Sequence, residues 1–204
     1  METKYKTILV DPPWHYGSGY PAPPNRPNCN PGVPKPMPYE TMSIDIIKKL
    51  PVLNVADSNC ELYLWTTQKY LPFSFDVVKA WGFKYCQTLT WCKKPRGTGQ
   101  GGVYCPTTEF LILGRRGKMP KVQRVNTTWW ETKRPHNSHS TKPEVFQGII
   151  ECVSEPPRLE MFARRYRLGW DVWGNEVVSK KELVEALKQN TTAQGVSLKN
   201  NDSH

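Results

Sequence analysis

Apolar, strand-like segments alternate with helix-like segments along most of this 204-residue chain, and this alternation restricts the fold more than any other feature. YKTILV (5–10) and CELYLWT (60–66) have the composition of buried strands, and the helical pattern of YLPFSFDVVKAW follows the second one. Such an order predicts an α/β fold with a mostly parallel sheet flanked by helices. In sheets of this kind, ligands bind beyond the carboxyl ends of the strands.

The length of the chain suits one domain with a single hydrophobic core. We expect this domain to cover residues 1–189, with loops at 15–38, 95–105 and 125–141 around a binding site, and a disordered polar tail at 190–204. The first of these loops is rich in Pro, Gly and Asn, which interrupt regular structure.

The cysteines, histidines and apolar segments indicate in which compartment the protein is found and whether it binds a metal. Six Cys residues include no C-x-x-C pair, no apolar run reaches the roughly 18 residues of a membrane span, and the N-terminal segment lacks a signal-peptide pattern. We therefore expect an intracellular protein with free thiols, cytoplasmic if the source is a prokaryote or a phage. His136 and His139 have no Cys or acidic partner at ligand spacing, so no metal is expected.

The net charge of +10 favours a polyanionic partner such as nucleic acid. Basic residues are concentrated between Lys93 and Lys142, a stretch that also contains Arg96 and the neighbouring indoles of Trp129 and Trp130. Cations interleaved with indole rings are typical of a groove that binds nucleic acid through phosphate contacts and base stacking. An ordinary solvated surface is the alternative interpretation.

The segment ILVDPPW places a carboxylate and an indole at the end of the first predicted strand. Pro12 and Pro13 fix the backbone and offer no N–H, so Asp11 and the Pro12 carbonyl can form paired acceptors beside the flat face of Trp14. This arrangement suits a planar base with an exocyclic amine, adenine or cytosine. Accepting both amine protons frees the nitrogen lone pair for attack on a methyl donor. A turn beside a core tryptophan is the alternative.

Lys142 is the second unusual residue, because it stands in the predicted first turn of the helix TKPEVFQGIIE. Thr141 and Glu144 have the spacing of a capping box at the start of that helix. A cation in the first turn opposes the helix dipole, whereas a bound anion would reverse the sign of the interaction. Lys142 is therefore a candidate anion ligand, with a solvated lysine as the alternative.

These motifs resemble the adenine-N6 methyltransferases that include the catalytic subunit of the eukaryotic messenger-RNA adenosine methyltransferase and its bacterial and phage relatives. Further motifs follow DPPW in the family's order: PYETM (38–42), LYLWTT (62–67), AWGFKYCQTLTWCK (80–93), TEFLILG (108–114), TKPEVFQGIIE (141–151), RLEMFARR (158–165) and WGNEV (173–177). The resemblance implies a Rossmann-like S-adenosylmethionine-dependent methyltransferase fold with a permuted (beta-class) motif order, in which DPPW precedes the cofactor strand.

The resemblance also implies roles for individual residues. It places Asp11 near the target amine and near the ammonium of the cofactor S-adenosylmethionine, and it places Lys142 at the cofactor's carboxylate. The other cofactor-binding residues that it implies are Phe162, Arg164, Asn175 and Glu176. Tyr166 and Arg167 stand where eukaryotic members have His-Asn, so the ribose contacts of that pair are not expected to carry over.

Candidate substrate-binding residues are Tyr39, Trp65, Trp91, Lys93, Arg96 and Glu109. Tyr39 resembles a family aromatic near the target base. Trp65 and Trp91 end strands on the cleft side, where they form either walls of the cleft or part of the core. Glu109 is expected to support the site, and the two cations belong to the basic stretch.

The sequence thus favours an S-adenosylmethionine-dependent enzyme that methylates the N6 amine of adenine in nucleic acid. We favour DNA over RNA for a chain this small, and we expect a flipped or unpaired target base. Two alternatives stay open, namely cytosine N4 as the target amine and a non-catalytic nucleic-acid-binding partner subunit. Assembly into a homodimer or a heterodimer is also left open.

Overall fold

The computed structural model describes residues 3–15, 40–94, 104, 106–120, 123–135 and 141–188. Its strands are β1 (Tyr5–Val10), β2 (Ala56–Thr67), β3 (Lys84–Lys94), β4 (Thr108–Arg116), β5 (Trp129–Lys133), β6 (Arg158–Met161) and β7 (Trp170–Trp173). Its α-helices are α1 (Ile44–Lys48), α2 (Leu71–Ala80), α3 (Val145–Val153) and α4 (Lys181–Lys188), with a short 3₁₀ turn at Val52–Asn54.

The seven strands form a mixed sheet in the order β5-β3-β4-β2-β1-β6-β7. β1 is parallel to β2 and β6, and the pairs β3–β5 and β6–β7 are also parallel. β4 is antiparallel to both of its neighbours. The prediction of a mostly parallel, Rossmann-like α/β fold is confirmed. From β1 the chain passes to β2 on one side, and after β5 it crosses through α3 to β6 on the other side of β1. A topological switch point therefore lies between β1 and β6, where ligands bind in such sheets.

Both faces of the sheet are covered by helices. On one face, α1, α2 and α4 bury Ile47, Val77 and Leu187 against the strands. On the other face, α3 buries Phe146 and Ile150. Each fully buried large apolar side chain stabilises the fold by about 1.5–3 kcal/mol. Burial of these side chains against the centre of the sheet therefore contributes strongly to the stability of the fold.

Local sequence signals explain where the flanking helices begin and end. The Ser43 hydroxyl accepts the Ile46 N–H at 3.3 Å and caps α1. α2 begins with Pro72 in its first turn and is followed by Gly82, whose φ of 73° lies in the left-handed region that glycine adopts without strain. A glycine at this position ends the helix.

The predicted loop at 125–141 contains an edge strand, so that part of the prediction is wrong. Trp129–Lys133 forms β5, which pairs in parallel with Thr90–Lys94 of β3. Its side chains alternate between exposed and partly buried positions, the period of a strand. Trp130 points inward and its ring centroid lies 5.6 Å from that of Phe146, so burial of this indole favours the strand in a polar segment.

The other predicted loops, 15–38 and 95–105, lie outside the described residues except for residues 15 and 104. The predicted tail at 190–204 also lies outside them. Within the described part of the chain, no helix is long and apolar enough to cross a membrane.

Candidate active site

The D-P-P-W segment follows β1 directly and forms a tight turn at the carboxyl ends of the parallel strands. The Pro12 carbonyl accepts the Trp14 N–H at 2.8 Å, and the Pro13 carbonyl accepts the Met42 N–H at 2.8 Å. A carbonyl oxygen has two lone pairs, so the Pro12 carbonyl keeps one for a further donor. The turn that carries Asp11 is therefore fixed by the protein itself, before any ligand binds.

Trp14 does not present the flat stacking face that the sequence predicts. Its side chain is only 3% exposed, and its indole N–H donates to the Trp65 carbonyl at 3.1 Å. Its ring stacks on Tyr70, with centroids 5.0 Å apart. A buried indole whose N–H is satisfied stabilises the core. For Trp14, the alternative interpretation as a core tryptophan beside a turn is the correct one.

Four charged side chains form a continuous set of ion pairs beside this turn, which we call the edge network: Lys93, Glu109, Lys142 and Asp11. Lys93 Nζ lies 2.5 Å from Glu109 Oε1, and Lys142 Nζ lies 3.2 Å from Glu109 Oε2. Lys142 Nζ also lies 3.1 Å from Asp11 Oδ2. The Lys142 side chain is only 16% exposed, so these charges interact more strongly than they would on an open surface.

The edge network sets the charge of its members. Burial raises the pKa of Asp11, and the Lys142 ammonium offsets only part of this effect. Burial also raises the pKa of Glu109, but its two ammonium neighbours outweigh burial and hold that pKa below its ordinary value. Burial disfavours the Lys142 cation, yet the two carboxylates raise the pKa of Lys142 well above its usual range. Asp11 is therefore the network's best proton acceptor, facing a permanent cation.

Lys142 lies at the predicted site but not in the predicted first turn of the helix. α3 begins at Val145, Glu144 is its N-cap residue, and no side chain caps it. The predicted capping box between Thr141 and Glu144 is therefore wrong. Glu144 Oε1 instead lies 2.7 Å from Arg165 Nη1, and a charge-assisted pair is stronger than a neutral cap. Two carboxylates, not the helix dipole, determine the environment of Lys142.

A narrow cleft lies at the topological switch point between the ends of β1 and β6. Its walls include Asp11, Lys142, Gln147, Glu160, Phe162 and Arg164. Its free volume is about 40 Å³, a few times the roughly 10–15 Å³ that one water molecule requires on the same measure. Two members of the edge network, Asp11 and Lys142, line this cleft.

Sequence reasoning missed two polar residues of this cleft. Glu160 lies in β6, and Gln147 lies in α3 with only 4% of its surface exposed. Gln147 Nε2 donates to Glu160 Oε2 at 2.6 Å. Burial and the nearby Asp11 carboxylate raise the pKa of Glu160 to about 7. A signal was present, because a charged residue is unusual in a central strand that is covered on both faces.

The predicted cofactor residues after β6 are brought only partly into this cleft. Phe162 lines the cleft with φ at 61°, a conformation that few non-glycine residues adopt, and Arg164 also lines it. Arg164 Nε donates to Glu176 Oε1 at 2.7 Å. Asn175 and Glu176 are exposed and are not among the cleft-lining residues. The structure thus places Glu176 beside the cleft through Arg164, whereas Asn175 does not line the cleft.

The predicted substrate-binding residues divide into three groups. Trp65 lines the cleft but is 1% exposed, and Lys142 Nζ lies 5.7 Å from its ring centroid. Trp91 is 2% exposed and packs in the core, which favours the core interpretation. Lys93 and Glu109 belong to the edge network. Tyr39 and Arg96, the other two predicted residues, lie outside the described residues.

A larger cavity of about 290 Å³ lies near the amino ends of β1 and β6, between residues such as Lys6, Asn59 and Lys118. It lies at the wrong edge of the sheet for a ligand of this fold. It also lacks the turn, the edge network and the perturbed carboxylates of the smaller cleft. The chemistry of the lining residues, rather than the size of the cavity, identifies the cleft at Asp11 as the candidate active site.

The cleft fits the amino-acid end of S-adenosylmethionine in the chemistry of its side chains. Lys142 supplies a permanent cation for a carboxylate, and Asp11 and Glu160 supply acceptors for an ammonium group. Gln147 Oε1 is buried and has no hydrogen-bond partner among the residues that the structure describes. As for metals, no group of three or more His, Cys, Asp or Glu in the described ranges could hold an ion, and His136 and His139 lie outside those ranges.

The sheet order and the cleft at its switch point are those of the α/β Rossmann-like fold that methyltransferases use. The family described as MT-A70 matches residues 5–176, and the chain belongs to this family. Methyltransferases of this family depend on S-adenosylmethionine in general. The predicted family membership is confirmed, and with it the prediction that the protein is an enzyme of this class.

The chain is similar to a bacterial methyltransferase over most of that protein's length and to eukaryotic proteins over a smaller part of theirs. The chain is 28% identical to the type II methyltransferase M.MunI of Mycoplasma sp over 188 residues, which cover 87% of this chain and 80% of that protein. It is 26% identical to the mouse N(6)-adenine-specific methyltransferase METTL4 over 85% of this chain and 38% of that protein. It is 35% identical to the Arabidopsis thaliana N6-adenosine-methyltransferase non-catalytic subunit MTB over 56% of this chain and 14% of that protein. The chain thus spans less than half the length of these two eukaryotic relatives.

Proposed function

We propose that this protein transfers the methyl group of S-adenosylmethionine to the N6 amine of adenine in nucleic acid, with DNA as the polymer. One observation carries the proposal: the Asp11 carboxylate follows β1 at the switch point of the sheet and lies 3.1 Å from the buried ammonium of Lys142. An acceptor and a cation at this place suit an amine substrate and a cofactor that bears a carboxylate.

In this proposal, Asp11 and the free lone pair of the Pro12 carbonyl accept the two protons of the exocyclic amine. Accepting them localises the nitrogen lone pair, which is otherwise shared with the ring, and makes the amine a nucleophile. Two hydrogen bonds that strengthen in the transition state supply about 10²–10⁴ in rate. The raised pKa of Asp11 also suits it to take up the proton that the amine loses.

When bound, S-adenosylmethionine supplies an electrophilic methyl group on a sulfonium. Lys142 would hold its carboxylate, and this contact would replace part of the Lys142–Asp11 pair. Phe162 and the Arg164–Glu176 pair lie after β6 and would face its ribose, with Asn175 as a further adenosine contact implied by the family. Tyr39 would lie near the target base. The cofactor would thus extend from the edge network across the end of β6.

A nucleic-acid surface beside the cleft is supported by charge and exposure. The edge strand β5 presents Trp129, which is 58% exposed, and Lys133 on its open side. Lys94 lies opposite Lys133 in the sheet. Exposed indoles stack on bases and cations neutralise phosphates. Arg96 would extend this surface, which supports a polymer substrate rather than a free nucleoside.

DNA is favoured by the similarity to the type II methyltransferase M.MunI, of which this chain spans 80%. RNA is the second candidate. A non-catalytic partner subunit is the third, since the Arabidopsis non-catalytic subunit is similar over part of the chain. The edge network weighs against the third candidate, because it keeps a carboxylate and a cation together at considerable desolvation cost.

The test is incubation of the protein with labelled S-adenosylmethionine and with matched DNA or RNA oligonucleotides, followed by nucleoside mass spectrometry. We expect N6-methyladenine in DNA. Asp11→Asn should abolish it and leave oligonucleotide binding intact, whereas Asp76→Asn, on the exposed side of α2, should leave it unchanged. N4-methylcytosine, a product only in RNA, or full activity of the Asp11 variant would each overturn the corresponding part of the proposal.

A further inference from the structure

The described helices cover only part of one face of the sheet. α2 lies on this face over β2, where the Ser74 hydroxyl donates to the Thr66 hydroxyl at 2.6 Å. Thr66 is in register with Phe110 of β4. Phe110 is in turn in register with Thr90 of β3, which lies opposite Trp129 of β5. Exposure increases along this row from 1% at Thr66 to 58% at Trp129, so the face is open beyond α2.

Aromatic side chains continue along this face towards the amino end of β3. Tyr85 and Thr88 lie on the same face as Thr90, because all three are in register with alternate residues of β4. The Tyr85 hydroxyl lies 3.2 Å from Thr88 Oγ1, and its ring centroid lies 5.1 Å from that of Phe75 in α2. Tyr85 is 45% exposed. We call this surface the open face, and its residues are Tyr85, Thr88, Thr90, Phe110 and Trp129.

The charges around the open face are mostly positive. β3 and β5 together carry four lysines and one glutamate, Glu131, whose carboxylate lies 2.8 Å from the Lys94 ammonium. Lys84 and Lys133 form no ion pair with any residue that the structure describes. A second copy of the chain would bring the same positive charge against this face. Charge therefore favours a polyanion, and cations beside exposed rings suit a nucleic-acid strand.

The register of the sheet gives the distance between the open face and the turn after β1. Val10 is in register with Leu64, so the row that contains Thr66 lies level with Pro12. In the sheet order, β5 is four strand spacings from β1, which is about 19 Å at roughly 4.8 Å per strand. A nucleotide bound at the turn is much shorter than this distance, whereas a longer stretch of the same strand reaches Trp129.

We infer that the open face is a stacking platform for an unpaired stretch of nucleic acid beside the target adenine. Trp129 stacks on one base of this stretch, and Lys133, on the same face of β5, contacts a phosphate. In a duplex the faces of each base are covered by its neighbours, so an indole outside the helix can stack only on a base that has left it. The inference rests on the proposed function and deepens it, because it names a single strand as the form of the polymer.

The first experiment measures the affinity of the full chain for a single-stranded DNA of about 12 nucleotides and for the same DNA in a duplex, by fluorescence anisotropy. Trp129→Leu keeps an apolar side chain and removes the ring. We expect this variant to bind the single strand about tenfold more weakly, the effect of one lost base stack, and to bind the duplex within about twofold of the wild type. Trp129→Tyr restores an aromatic ring and should recover most of the affinity.

The length of the oligonucleotide provides a second readout, because the indole is about 19 Å from the turn. Trp129→Leu should raise the KM for the long single strand about tenfold and leave kcat/KM for a trinucleotide unchanged. The affinity for S-adenosylhomocysteine, the donor after loss of its methyl group, should equal that of the wild type. Equal affinity would show that the cleft is intact in the variant.

Two pairs of variants control for exposure and charge. Tyr166→Leu removes another exposed ring, 63% exposed and after β6, on the other side of β1 from β5, and it should leave single-strand affinity unchanged. Lys133→Gln should reduce the slope of log affinity against log salt concentration by about 0.7, the contribution of one phosphate contact to a single strand. Lys181→Gln, on the exposed side of α4, should leave this slope unchanged.

The outcomes distinguish the platform from the proposed function. Equal losses for the single strand and the duplex in Trp129→Leu, or no loss for either, would overturn the platform while adenine methylation by the wild type continued. A change from dimer to monomer in this variant, with unchanged oligonucleotide affinity, would instead identify the open face as an interface between two copies. If the wild type bound the single strand through Trp129 but methylated no oligonucleotide, the proposed function would fail and the platform would stand.

Discussion

The two edges of the sheet both bury carboxylates beside cations, but only one of them completes the set of partners. Near the amino ends of the strands, Glu61 is 5% exposed, its Oε1 accepts the Arg115 Nε–H at 2.8 Å and its Oε2 accepts the Tyr63 hydroxyl at 3.1 Å. At the carboxyl edge, the pKa values of Asp11 and Glu160 are raised by burial. The comparison indicates that a carboxylate whose two oxygens are both bound by protein donors serves the fold, whereas buried carboxylates with raised pKa values mark a candidate ligand site.

Removal of the cation at the carboxyl edge should produce the largest effect. Lys142→Met should weaken S-adenosylhomocysteine binding by about 10²-fold or more, since truncating one partner of a buried charged contact costs about 2–5 kcal/mol. The free energy of unfolding should change much less, because Asp11 can take up a proton and Lys93 still pairs with Glu109. Calorimetry and urea unfolding measure the two quantities. Binding within tenfold of the wild type would contradict the role of Lys142.

The corresponding change at the amino edge should affect stability instead. Arg115→Met leaves the Glu61 carboxylate with only the Tyr63 hydroxyl, and a buried charge without its partner is strongly destabilising. Because Arg115 is itself 39% exposed, we expect a loss of about 2–3 kcal/mol in the free energy of unfolding. Affinity for S-adenosylhomocysteine should match the wild type. A selective loss of ligand affinity in this variant would break the contrast between the edges.

A third prediction sharpens the contrast within the carboxyl edge itself, where Asp11 and Trp14 are three positions apart. Trp14→Phe keeps an aromatic ring against Tyr70 but leaves the Trp65 carbonyl without its donor, at a cost of about 1–2 kcal/mol in unfolding free energy. The KM for oligonucleotide should stay near the wild-type value, because Trp14 is buried. A raised KM with unchanged stability would restore the stacking role that the sequence predicts.

Features that depend on local sequence or on general rules of the fold were predictable. Alternation of segments identifies the α/β class, and the rule for parallel sheets places Asp11 at the ligand edge. Lys142 is far from Asp11 in the sequence. It belongs to the same edge because it lies just before α3, the helix that leads back to the start of β6. The family resemblance added the cofactor and the target amine, which no spacing rule provides.

Features that depend on side-chain orientation were not predictable. Whether Trp14 faces a ligand or the core is decided by Tyr70 and the Trp65 carbonyl, more than 50 positions away, and D-P-P-W alone does not contain that information. Thr141 and Glu144 have the spacing of a capping box, but Arg165 competes for Glu144. The charge of Glu160 is a signal in a central strand, but its partner Gln147 cannot be identified until the position of α3 is known.

The pH dependence that arises from the titration of Glu160 is the smallest expected effect. It tests the comparison of the two edges at a single carboxyl group. Its pKa is raised from 4.5 to about 7, first by burial and then by Asp11, while Arg165, Gln147 and Arg167 act in the opposite direction. For a carboxyl group whose pKa is raised on folding, the protonated form is the one that the fold favours. Its contribution to stability is therefore full below about pH 4.5 and is lost as the pH rises through about 7.

Ligand affinity should follow the opposite course, because an ammonium prefers the ionised carboxylate. Between pH 8 and pH 6 the ionised fraction of a group with a pKa of about 7 falls about tenfold, and the affinity for S-adenosylhomocysteine should fall with it. Glu160→Gln should make the S-adenosylhomocysteine affinity independent of pH in this window. Because Asp11 also has a raised pKa, a pH dependence that persists in the Glu160 variant would assign the titration to Asp11. The ammonium would then be held by the carboxylate of the turn rather than by Glu160.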